Sequence, residues 1–560
     1  MSGRENIIGF VTQSLTPANA EAISESPVPI GTYVYADFLV RDRRKRSMVN
    51  RRVVGVVTNV GYQPAMPLST LSLLREDVEP EKLKTPKYSP MSIYVIADVS
   101  EGEASTPIYP IPPNTPLQII DSGSLDVLSY VYKRPDPSRG LIRIGSLARI
   151  QEIDVAVEAN KLFKHLLITG ATGSGKSNAV AVIADRLSSI GAPVIIFDVH
   201  GEYVNMTPEE GSIDKVVIVK AEINPLTMRP DVLSHIIIRD PQATKQRRYL
   251  KRILISFRRD LVKISREKNI GLETAVEELF NIKMKTYANL FREYAEDLFN
   301  IEDLSELSKL DQTKKMILLL LLEIYLRAQN ADSSERRVYE GIEDRLTDFI
   351  ISYPILNIYA TDVLEKISPG KIVVYDVSVL TDDQKAWVLR ILADNLLERL
   401  KTRYREVRMP PTVLVVEEAP LFISSTSPSV ARESLKRFAR EGRKFGGVLI
   451  IASQRPRTLD PDISSQIQNF LFLKLVQQED IKNVMSIADN LEESLARTLP
   501  SLPTGWGILM GEWVGRFPAL VAIDRHPGKR LGASPDLVSE WRDFSEKKER
   551  KDLMPSEFQF

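Results

Sequence analysis

The chain has 560 residues, 43% of them hydrophobic, and its 74 basic and 74 acidic residues cancel to a formal net charge of zero. A chain of this length holds roughly three or four folding units, and its neutrality excludes a global field that draws it to nucleic acid or membrane. The absence of cysteine excludes disulfides, thiol catalysis and sulfur-ligated zinc. No signal-peptide pattern opens the sequence, and its longest apolar run, residues 316–322, ends at Glu323. We therefore expect a soluble, cytoplasmic protein without a membrane segment.

Residues 1–148 predict an all-β domain. Short runs rich in β-branched and aromatic residues alternate with turn signals, and no helical pattern separates them. The proline-dense stretch at 107–116 cannot lie inside a strand or a helix. We therefore expect a small barrel or sandwich. The candidate strands are residues 7–12, 33–40, 52–60 and 91–99.

A basic stretch lies between the second and third of these strands. Residues 41–46 together with Arg51 and Arg52 hold seven basic residues against one acid. Such a stretch can contact a phosphate backbone or a partner protein, but the composition slightly favours a solvated hairpin tip.

The octapeptide GATGSGKS at residues 170–177 matches the full phosphate-binding pattern G-x-x-x-x-G-K-[ST]. An apolar run precedes it and apolar residues at helical spacing follow it, which is the strand, loop and helix order that this motif requires. Glycines in the loop let backbone N–H groups and the helix N-terminus face phosphate oxygens. Lys176 would reach the β and γ phosphates, and the Ser177 hydroxyl would bind Mg²⁺. The residues expected to bind ATP are Gly170, Thr172, Gly173, Ser174, Gly175, Lys176 and Ser177.

From about residue 150, strand and helix patterns alternate, which predicts a parallel sheet with helices on both faces. Residues 192–198 form a nearly continuous apolar strand that ends in the sequence DVHGEY. Ligands of open α/β sheets bind beyond the carboxyl ends of strands, so Asp198, His200 and Glu202 fall within reach of a nucleotide. A carboxylate there would bind metal or orient water. The alternative is that these polar groups only close a turn.

Residues 228–365 predict a helical insertion in this sheet. Their apolar residues recur with a period of 3.6, and no β-rich run separates the helical patterns. Between Lys245 and Lys268 ten basic residues face two acids on an amphipathic pattern. This surface would bind nucleic acid or another subunit, and a solvated helix face is at least as good an explanation.

The sheet resumes at residues 371–377, followed by a capping box at 381–384 that begins an amphipathic helix. Residues 411–418 then combine a buried strand pattern with two terminal acids, which is the form of a Walker B strand. Glu417 would hold Mg²⁺ through water, and Glu418 would polarise the attacking water. Asp is the more common residue at the first position, and Glu417 is one methylene longer.

A basic helix at 429–444 leads into a buried strand that ends at Gln454. Gln454 is placed to sense the γ-phosphate or to hold the lytic water, unless it only caps the strand end. Arg440 and Arg443 precede this strand, on the opposite side of the fold from the phosphate loop. An arginine there would reach the nucleotide of a neighbouring subunit in a ring and act as an arginine finger in trans.

Further strands are expected at 470–475 and 507–511. A last one at 515–523 is expected to be partly an edge strand because it contains Pro518. Beyond residue 526 the chain turns polar, and we expect a short helix at 535–544 and then a mobile tail that could brace a neighbouring subunit.

These motifs, taken in order, resemble the HerA branch of the HerA/FtsK superfamily. The matching segments are GATGSGKS, DVHGEY at 198–203, VVEE at 415–418, REGRKFG at 440–446 and ASQRP at 452–456. Each motif occurs in many P-loop proteins, whereas the ordered set covers nearly the whole chain and is specific.

The resemblance implies an α/β fold with a RecA-like P-loop ATPase core, a small N-terminal β-barrel and a helical insertion. It also implies a homo-hexameric, ATP-driven and Mg²⁺-dependent translocase or helicase of double-stranded DNA, which acts with a NurA-type nuclease in double-strand break end resection. The barrel would dock the nuclease. The residue roles implied are phosphate binding by Gly173, Gly175, Lys176 and Ser177, an acid at Asp198, catalytic Glu418, a sensor at Gln454 and a trans-acting Arg443, with Arg440 left open.

The domain boundaries that we expect are 1–148 for the barrel, 149–227 and 366–525 for the ATPase core, 228–365 for the insertion and 526–560 for the tail. The main alternative function is a ring ATPase that translocates protein or remodels a complex. A small-molecule kinase and a nucleotide-gated scaffold are further alternatives. Direction and step of travel, strand separation, DNA-contacting loops and a ring of six or seven subunits stay open.

Overall fold

The computed structural model describes residues 6–42, 47–61, 63–64, 87–121, 123–402, 409–488 and 490–528. Most of the basic stretch at 41–46 and the helix expected at 535–544 lie outside the described residues. The strands of the described part are β1 (Ile7–Thr16), β2 (Asn19–Ser24), β3 (Tyr33–Asp42), β4 (Ser47–Val60), β5 (Gln63–Pro64), β6 (Lys87–Asp98), β7 (Pro116–Ile119), β8 (Leu141–Leu147), β9 (Ile150–Glu158), β10 (Leu166–Thr169), β11 (Val194–Asp198), β12 (Val216–Lys220), β13 (Ile372–Asp376), β14 (Thr412–Val416), β15 (Gly447–Ser453), β16 (Asn469–Leu473), β17 (Trp506–Gly511) and β18 (Ala519–Ile523).

Helices of eight or more residues in the same part of the chain are labelled in order. They are α1 (Lys176–Ser189), α2 (Pro230–Ile237), α3 (Thr244–Lys268), α4 (Leu272–Phe299), α5 (Gln312–Gln329), α6 (Ser333–Ser352), α7 (Asp382–Thr402), α8 (Arg432–Phe445) and α9 (Gln478–Ile487). Four-residue helical segments lie at Asp126–Ser129, Leu304–Leu307, Pro420–Ile423, Pro461–Ser464 and Glu493–Ala496.

The N-terminal strands form a closed antiparallel barrel in the order β2-β1-β7-β3-β4-β6, and β2 pairs with β6 to close it. Closure leaves no exposed strand edge. Along β4, Val53 and Val57 lie in the barrel core, whereas Val54 and Val56 lie in the large core of the rest of the chain. The two faces of one strand therefore serve two cores, and the predicted small barrel is confirmed.

An eleven-stranded sheet organises the remainder of the chain, in the order β12-β13-β11-β14-β15-β10-β16-β17-β18-β8-β9. The first seven strands in this order are parallel, and the last four pair antiparallel. Every residue of β10, β11, β14 and β15 is buried, as a parallel sheet covered by helices on both faces requires. The predicted α/β core with a phosphate loop is confirmed.

Two expectations about strands need correction. β8 pairs antiparallel with β18, so it belongs to the large sheet and not to the barrel expected for residues 1–148. The strand pattern could not show this, because an antiparallel strand with one buried face looks alike in either sheet. β18 begins at Ala519, directly after Pro518, and lies between β17 and β8. β18 is therefore an interior strand. Pro518, which has no backbone N–H group to donate, lies just outside the strand and removes no hydrogen bond from the sheet.

Helices α2 to α6 lie between β12 and β13 and form the expected helical region. Residues 318–322 of α5 are buried throughout, and Lys315 on the same helix is only 3% exposed and pairs with Glu277 at 2.7 Å. This apolar run therefore serves the core of the insertion. Among the helices of the described ranges, none has the length and apolar character needed to cross a membrane.

The helix α7 follows the predicted capping box. The backbone N–H of Thr381 donates to Gln384 Oε1 at 3.0 Å, whereas Thr381 Oγ1 has no hydrogen-bond partner in the described structure. One half of the reciprocal box is therefore formed.

The barrel contacts the large sheet directly at β18. The hydroxyl of the buried Tyr33 donates to the carbonyl oxygen of Leu520 at 3.2 Å, and the backbone N–H of Leu520 donates back to this hydroxyl at 3.3 Å. Arg149 Nε donates to the carbonyl oxygen of Ile30 at 2.7 Å. The two sheets are thus joined by hydrogen bonds as well as by apolar packing.

Candidate active site

The phosphate loop joins the buried strand β10 to the N-terminus of α1. Gly175 has φ +103°, in the left-handed region, and a Cβ there would lie 3.3 Å from the backbone of Gly505. A Cβ on Gly170 would lie 2.5 Å from Ser174 Oγ. Both positions therefore require glycine. Gly175 precedes α1 without any side-chain cap, so the N–H groups of the first turn are available to an anion.

Lys176 lies against the loop that it follows. Its Nζ donates to the carbonyl oxygens of Gly170 at 2.9 Å and Ala171 at 3.3 Å. Burial lowers the pKa of Lys176, and the carboxylates of Glu418 and Glu417 act in the opposite direction. The ammonium group is thus placed between the loop and two carboxylates, where phosphate and Mg²⁺ charges would be balanced. Ser177 is half-buried in the first turn of α1.

A segment that the sequence did not indicate also holds the loop. The backbone N–H of Gly505 donates to the carbonyl oxygen of Ser174 at 2.9 Å, and Thr504 Oγ1 donates to that of Gly173 at 3.3 Å. Turn signals at 503–505 indicate a loop before β17. The contact with the phosphate loop is non-local, so the sequence pattern could not reveal it.

The two acids of the Walker B strand follow β14 in different environments. Glu417 is 6% exposed, and its Oε1 accepts a hydrogen bond from the hydroxyl of Tyr203. Burial raises the pKa of Glu417 well above its usual range, the Tyr203 hydrogen bond opposes this, and neighbouring carboxylates add to it. Such a carboxyl needs a cation nearby to be stably ionised, which fits a Mg²⁺ site.

Glu418 has φ +43°, a backbone conformation that non-glycine residues rarely adopt. Its Oε1 accepts a hydrogen bond from Gln454 Nε2 at 2.6 Å. The other end of the same amide, Gln454 Oε1, accepts from Thr172 Oγ1 at 2.7 Å. One side chain therefore connects the phosphate loop to the second Walker B acid, and three residues expected at the site are brought together.

Asp198 closes the turn that follows β11. Its Oδ1 accepts the backbone N–H of Glu202 at 3.0 Å, and its Oδ2 accepts that of Tyr203 at 2.8 Å. Burial raises the pKa of Asp198, and these hydrogen bonds oppose the rise. These hydrogen bonds show that Asp198 closes the turn, which was the alternative given for it in the sequence analysis. His200 is exposed, and Glu202 carries a buried Oε2 that has no hydrogen-bond partner in the described structure.

No group of three or more His, Asp or Glu side chains among the described residues is arranged to hold a metal ion. Mg²⁺ keeps several waters and takes only one or two protein ligands beside phosphate oxygens. Ser177 and Glu417 supply ligands of the hard oxygen type that this ion prefers, and the loop supplies donors for phosphate. The residues present therefore fit Mg²⁺ with ATP.

Arg440 and Arg443 are exposed on α8 and lie at the other end of the sheet. The helix ends just before β15, whose seven residues span roughly 20 Å at 3.3 Å per residue, and Gln454 follows the far end of that strand. Burial lowers the pKa of His165, and the charge of Arg443 adds to the effect. Since His165 precedes β10 and the phosphate loop follows it, Arg443 is remote from the loop of its own chain.

Fold and site together define the class of the protein, which is a P-loop ATPase with an α/β core. The family model for the central domain of helicase HerA matches residues 142–396. The chain is 31% identical over 554 residues to the DNA double-strand break repair helicase HerA of Sulfurisphaera tokodaii, covering 96% of this chain and 97% of that protein. The chain belongs to the HerA family of helicases.

A second relative, the protein of the same name from Saccharolobus solfataricus, is 30% identical over 551 residues and matches across 96% of both chains. Among solved structures, VirB4 of Thermoanaerobacter pseudethanolicus is similar with a TM-score of 0.42 at 18% identity, covering 69% of this chain and 97% of that one.

Proposed function

We propose that this chain is the subunit of a hexameric, ATP-driven translocase or helicase of double-stranded DNA that feeds broken ends to a NurA-type nuclease during end resection. The names of the two relatives, both DNA double-strand break repair helicases, support DNA as the substrate. The N-terminal barrel is the proposed docking site for the nuclease.

The observation that carries this proposal is the distance between the α8 arginines and the phosphate loop. Hydrolysis at a P-loop site is accelerated strongly by an arginine that neutralises charge developing on the γ-phosphate. Arg440 and Arg443 are exposed, yet a strand that spans roughly 20 Å separates them from the loop of their own chain. In a head-to-tail ring the same arginines face the neighbour's loop. The active site is therefore completed by a second copy of the chain.

In this proposal, the residues at the phosphate loop and the Walker B strand have separate roles. Backbone N–H groups at Gly173 and Gly175, with the Lys176 ammonium, hold the phosphates, while Ser177 and Glu417 organise the Mg²⁺ shell. When bound, Mg²⁺-ATP supplies the electrophilic γ-phosphate and its charge neutralisation. Glu418 accepts the proton of the attacking water.

Gln454 and Asp198 act through their hydrogen bonds. Gln454 holds Glu418 against Thr172 of the loop, so a change at the phosphates is transmitted to the base. Asp198 shapes the turn that places Tyr203 beside Glu417.

The test uses subunits that are defective in different halves of the site. Lys176→Ala subunits lack a working loop but keep the arginine, and Arg443→Ala subunits have the opposite defect. Each alone is expected to hydrolyse ATP at least about a hundredfold more slowly than wild type. In an equimolar mixture half of the loops work and half of those face an intact arginine, so about one quarter of wild-type activity should return.

The control is Arg437→Ala on the same helix, since Arg437 pairs with Asp394 at 3.2 Å, and this change should leave hydrolysis nearly intact. The same mixing with Arg440→Ala shows which arginine acts. A shared site is ruled out if neither mixture, Lys176→Ala with Arg443→Ala or Lys176→Ala with Arg440→Ala, exceeds the sum of the activities of its two components.

A further inference from the structure

Tyr203 joins two segments that carry the chemistry. Its side chain is completely buried, and its hydroxyl donates to Glu417 Oε1 across 214 positions of sequence. The tyrosine comes from the turn after β11, and the glutamate follows the neighbouring strand β14, which pairs in register with β11 from Val194 to Phe197. The contact therefore connects the ends of two adjacent parallel strands.

The turn that carries Tyr203 is held from several sides. Both oxygens of Asp198 accept backbone N–H groups of the turn, at 3.0 Å from Glu202 and 2.8 Å from Tyr203 itself. Gly201 has φ +74°, where a side chain would be strained. The carbonyl oxygen of Tyr203 accepts the N–H of Met206 at 2.9 Å. The hydroxyl is therefore presented from a fixed backbone and not from a mobile loop.

Packing alone does not explain a tyrosine at this position. A phenylalanine would fill the same buried space, and a hydroxyl taken out of water costs free energy unless it forms a hydrogen bond. Here the hydroxyl engages one oxygen of Glu417. An aspartate at 417 would place its carboxylate one methylene further back and withdraw it from the hydroxyl. The longer acid and the tyrosine are therefore matched to one another.

We propose that Tyr203 is a positioning residue, which fixes the Glu417 carboxylate in the orientation that organises the Mg²⁺ shell. This inference rests on the proposed function, because it takes Glu417 as the magnesium carboxylate. It adds a residue that acts on the ion through Glu417 and does not touch the nucleotide.

The experiment measures how Mg²⁺ changes the affinity for a fluorescent ADP derivative, so the readout is binding and not turnover. Tyr203→Phe should raise the Mg²⁺ concentration needed for half-maximal affinity gain about tenfold, the effect of one hydrogen bond to a charged group. Affinity without Mg²⁺ should stay within about twofold of wild type, since the phosphate loop is untouched. The matched control is Tyr294→Phe, which removes a half-buried hydroxyl that donates to Glu343 Oε1 at 2.6 Å in the helical insertion and should change neither quantity.

A double-mutant cycle separates positioning from packing. Glu417→Asp should raise the Mg²⁺ requirement by a similar factor, and Tyr203→Phe should add nothing further in that background. If Tyr203→Phe proves too unstable to purify, Glu417→Asp provides the test, because it withdraws the carboxylate from the Tyr203 hydroxyl, and an unchanged Mg²⁺ requirement in this variant overturns the inference. The inference is overturned if Tyr203→Phe leaves the Mg²⁺ requirement unchanged, or if it weakens binding of the ADP derivative equally with and without Mg²⁺. It is also overturned if Tyr203→Phe raises the Mg²⁺ requirement further in the Glu417→Asp background.

A third variant separates this inference from the proposed function. If Glu417→Ala keeps the wild-type response to Mg²⁺, the assignment of Glu417 itself is wrong. If Glu417→Ala loses the response while Tyr203→Phe and Glu417→Asp keep it, only the role of Tyr203 falls.

Discussion

Glu418 combines an unusual backbone with a fixed side chain. A non-glycine residue in the left-handed region costs about 1–3 kcal/mol, and at φ +43° Glu418 keeps this conformation while its carboxylate is bound by Gln454 at 2.6 Å. Strain of this kind persists where the surrounding structure overrides it, often at functional sites. The conformation therefore agrees with the proposed role of Glu418 as the catalytic base.

Replacing Glu418 by Gln tests that role. The amide keeps the shape but cannot accept a proton, so turnover should fall by at least about a hundredfold while ATP stays bound. Steady-state hydrolysis and equilibrium binding of ATP measure the two effects. The exposed Glu152 on β9 provides a control, because Glu152→Gln should behave as wild type. Turnover unchanged in Glu418→Gln would mean that another group is the base.

At this scale the sequence predicts what is local. The phosphate loop and the Walker B acids are continuous motifs, so their position at the carboxyl ends of β10 and β14 follows from strand order. The pairing of Tyr203 with Glu417 was not predictable, because the two residues are 214 positions apart and the contact depends on strand neighbours. Asp198 was placed correctly at its strand end, whereas its hydrogen bonds to the turn depend on backbone geometry.

The helix α1 is held by the segment that follows β18. Asp185 on α1 is 1% exposed and accepts hydrogen bonds from His526 Nε2 at 2.9 Å and from Lys215 Nζ. Asn178 near the start of the same helix donates to the carbonyl oxygen of Asp524 at 2.7 Å. The helix that begins at the phosphate loop is thus fixed at both ends by residues from distant parts of the chain.

Removing the Asp185 charge should destabilise this arrangement. Asp185→Asn leaves buried donors without their carboxylate, so the free energy of unfolding should fall by about 3 kcal/mol. Chemical denaturation at pH 7 measures the loss. The control is Glu340→Gln, since Glu340 and Arg336 form a half-exposed pair at 3.0 Å, and its effect should stay below about 0.5 kcal/mol.

The pH dependence of the free energy of unfolding provides a second test of the role of Asp185. Burial acts against ionisation, but hydrogen bonds from His526, Lys215 and the Glu209 N–H outweigh it and lower the pKa of Asp185 from 3.8 to about 2. A lowered pKa contributes stability that is complete above the unfolded value and is lost as the pH falls through the folded value. The difference between wild type and Asp185→Asn should therefore be constant from pH 7 to about 5 and shrink below about 4. A difference that grew on acidification would contradict this.

Element boundaries show where sequence patterns are insufficient. Six of the seven parallel strands were predicted, because burial leaves apolar runs in their sequences. The seventh, β12, was not predicted, since it lies at the edge of the sheet and none of its residues is fully buried. β8 was assigned to the wrong unit, since half-buried antiparallel strands look the same in a barrel and at the end of a large sheet. Pro518 indicated an edge strand, but the proline lies one residue before β18 and removes no hydrogen bond from the ladder.

At the scale of the whole molecule, the net charge of zero bears on how a ring of several chains would bind DNA. A net charge of zero gives a single chain no long-range attraction to DNA, whereas repeated local basic surfaces around a channel concentrate positive potential. DNA affinity in this proposal depends on assembly.

Duplex DNA should therefore stimulate ATP hydrolysis several-fold or more, and the stimulation should decline steeply between about 50 and 200 mM salt because counterions are released on binding. The comparison is hydrolysis without DNA across the same salt range, which should change little. Hydrolysis that is indifferent to DNA would favour the alternative, a ring that moves protein or remodels a complex.

Hydrogen bonds connect the phosphate loop to the barrel through β18. Ser174 in the phosphate loop accepts the N–H of Gly505 at 2.9 Å, Gly505 in turn accepts the N–H of Ile523 at 2.8 Å, and Leu520 three residues earlier accepts the Tyr33 hydroxyl at 3.2 Å. The strand β18 thus connects the phosphate loop to the barrel through hydrogen bonds. Under the proposed function, a partner bound to the barrel would be connected to the nucleotide-binding loop through β18 without an intervening flexible linker.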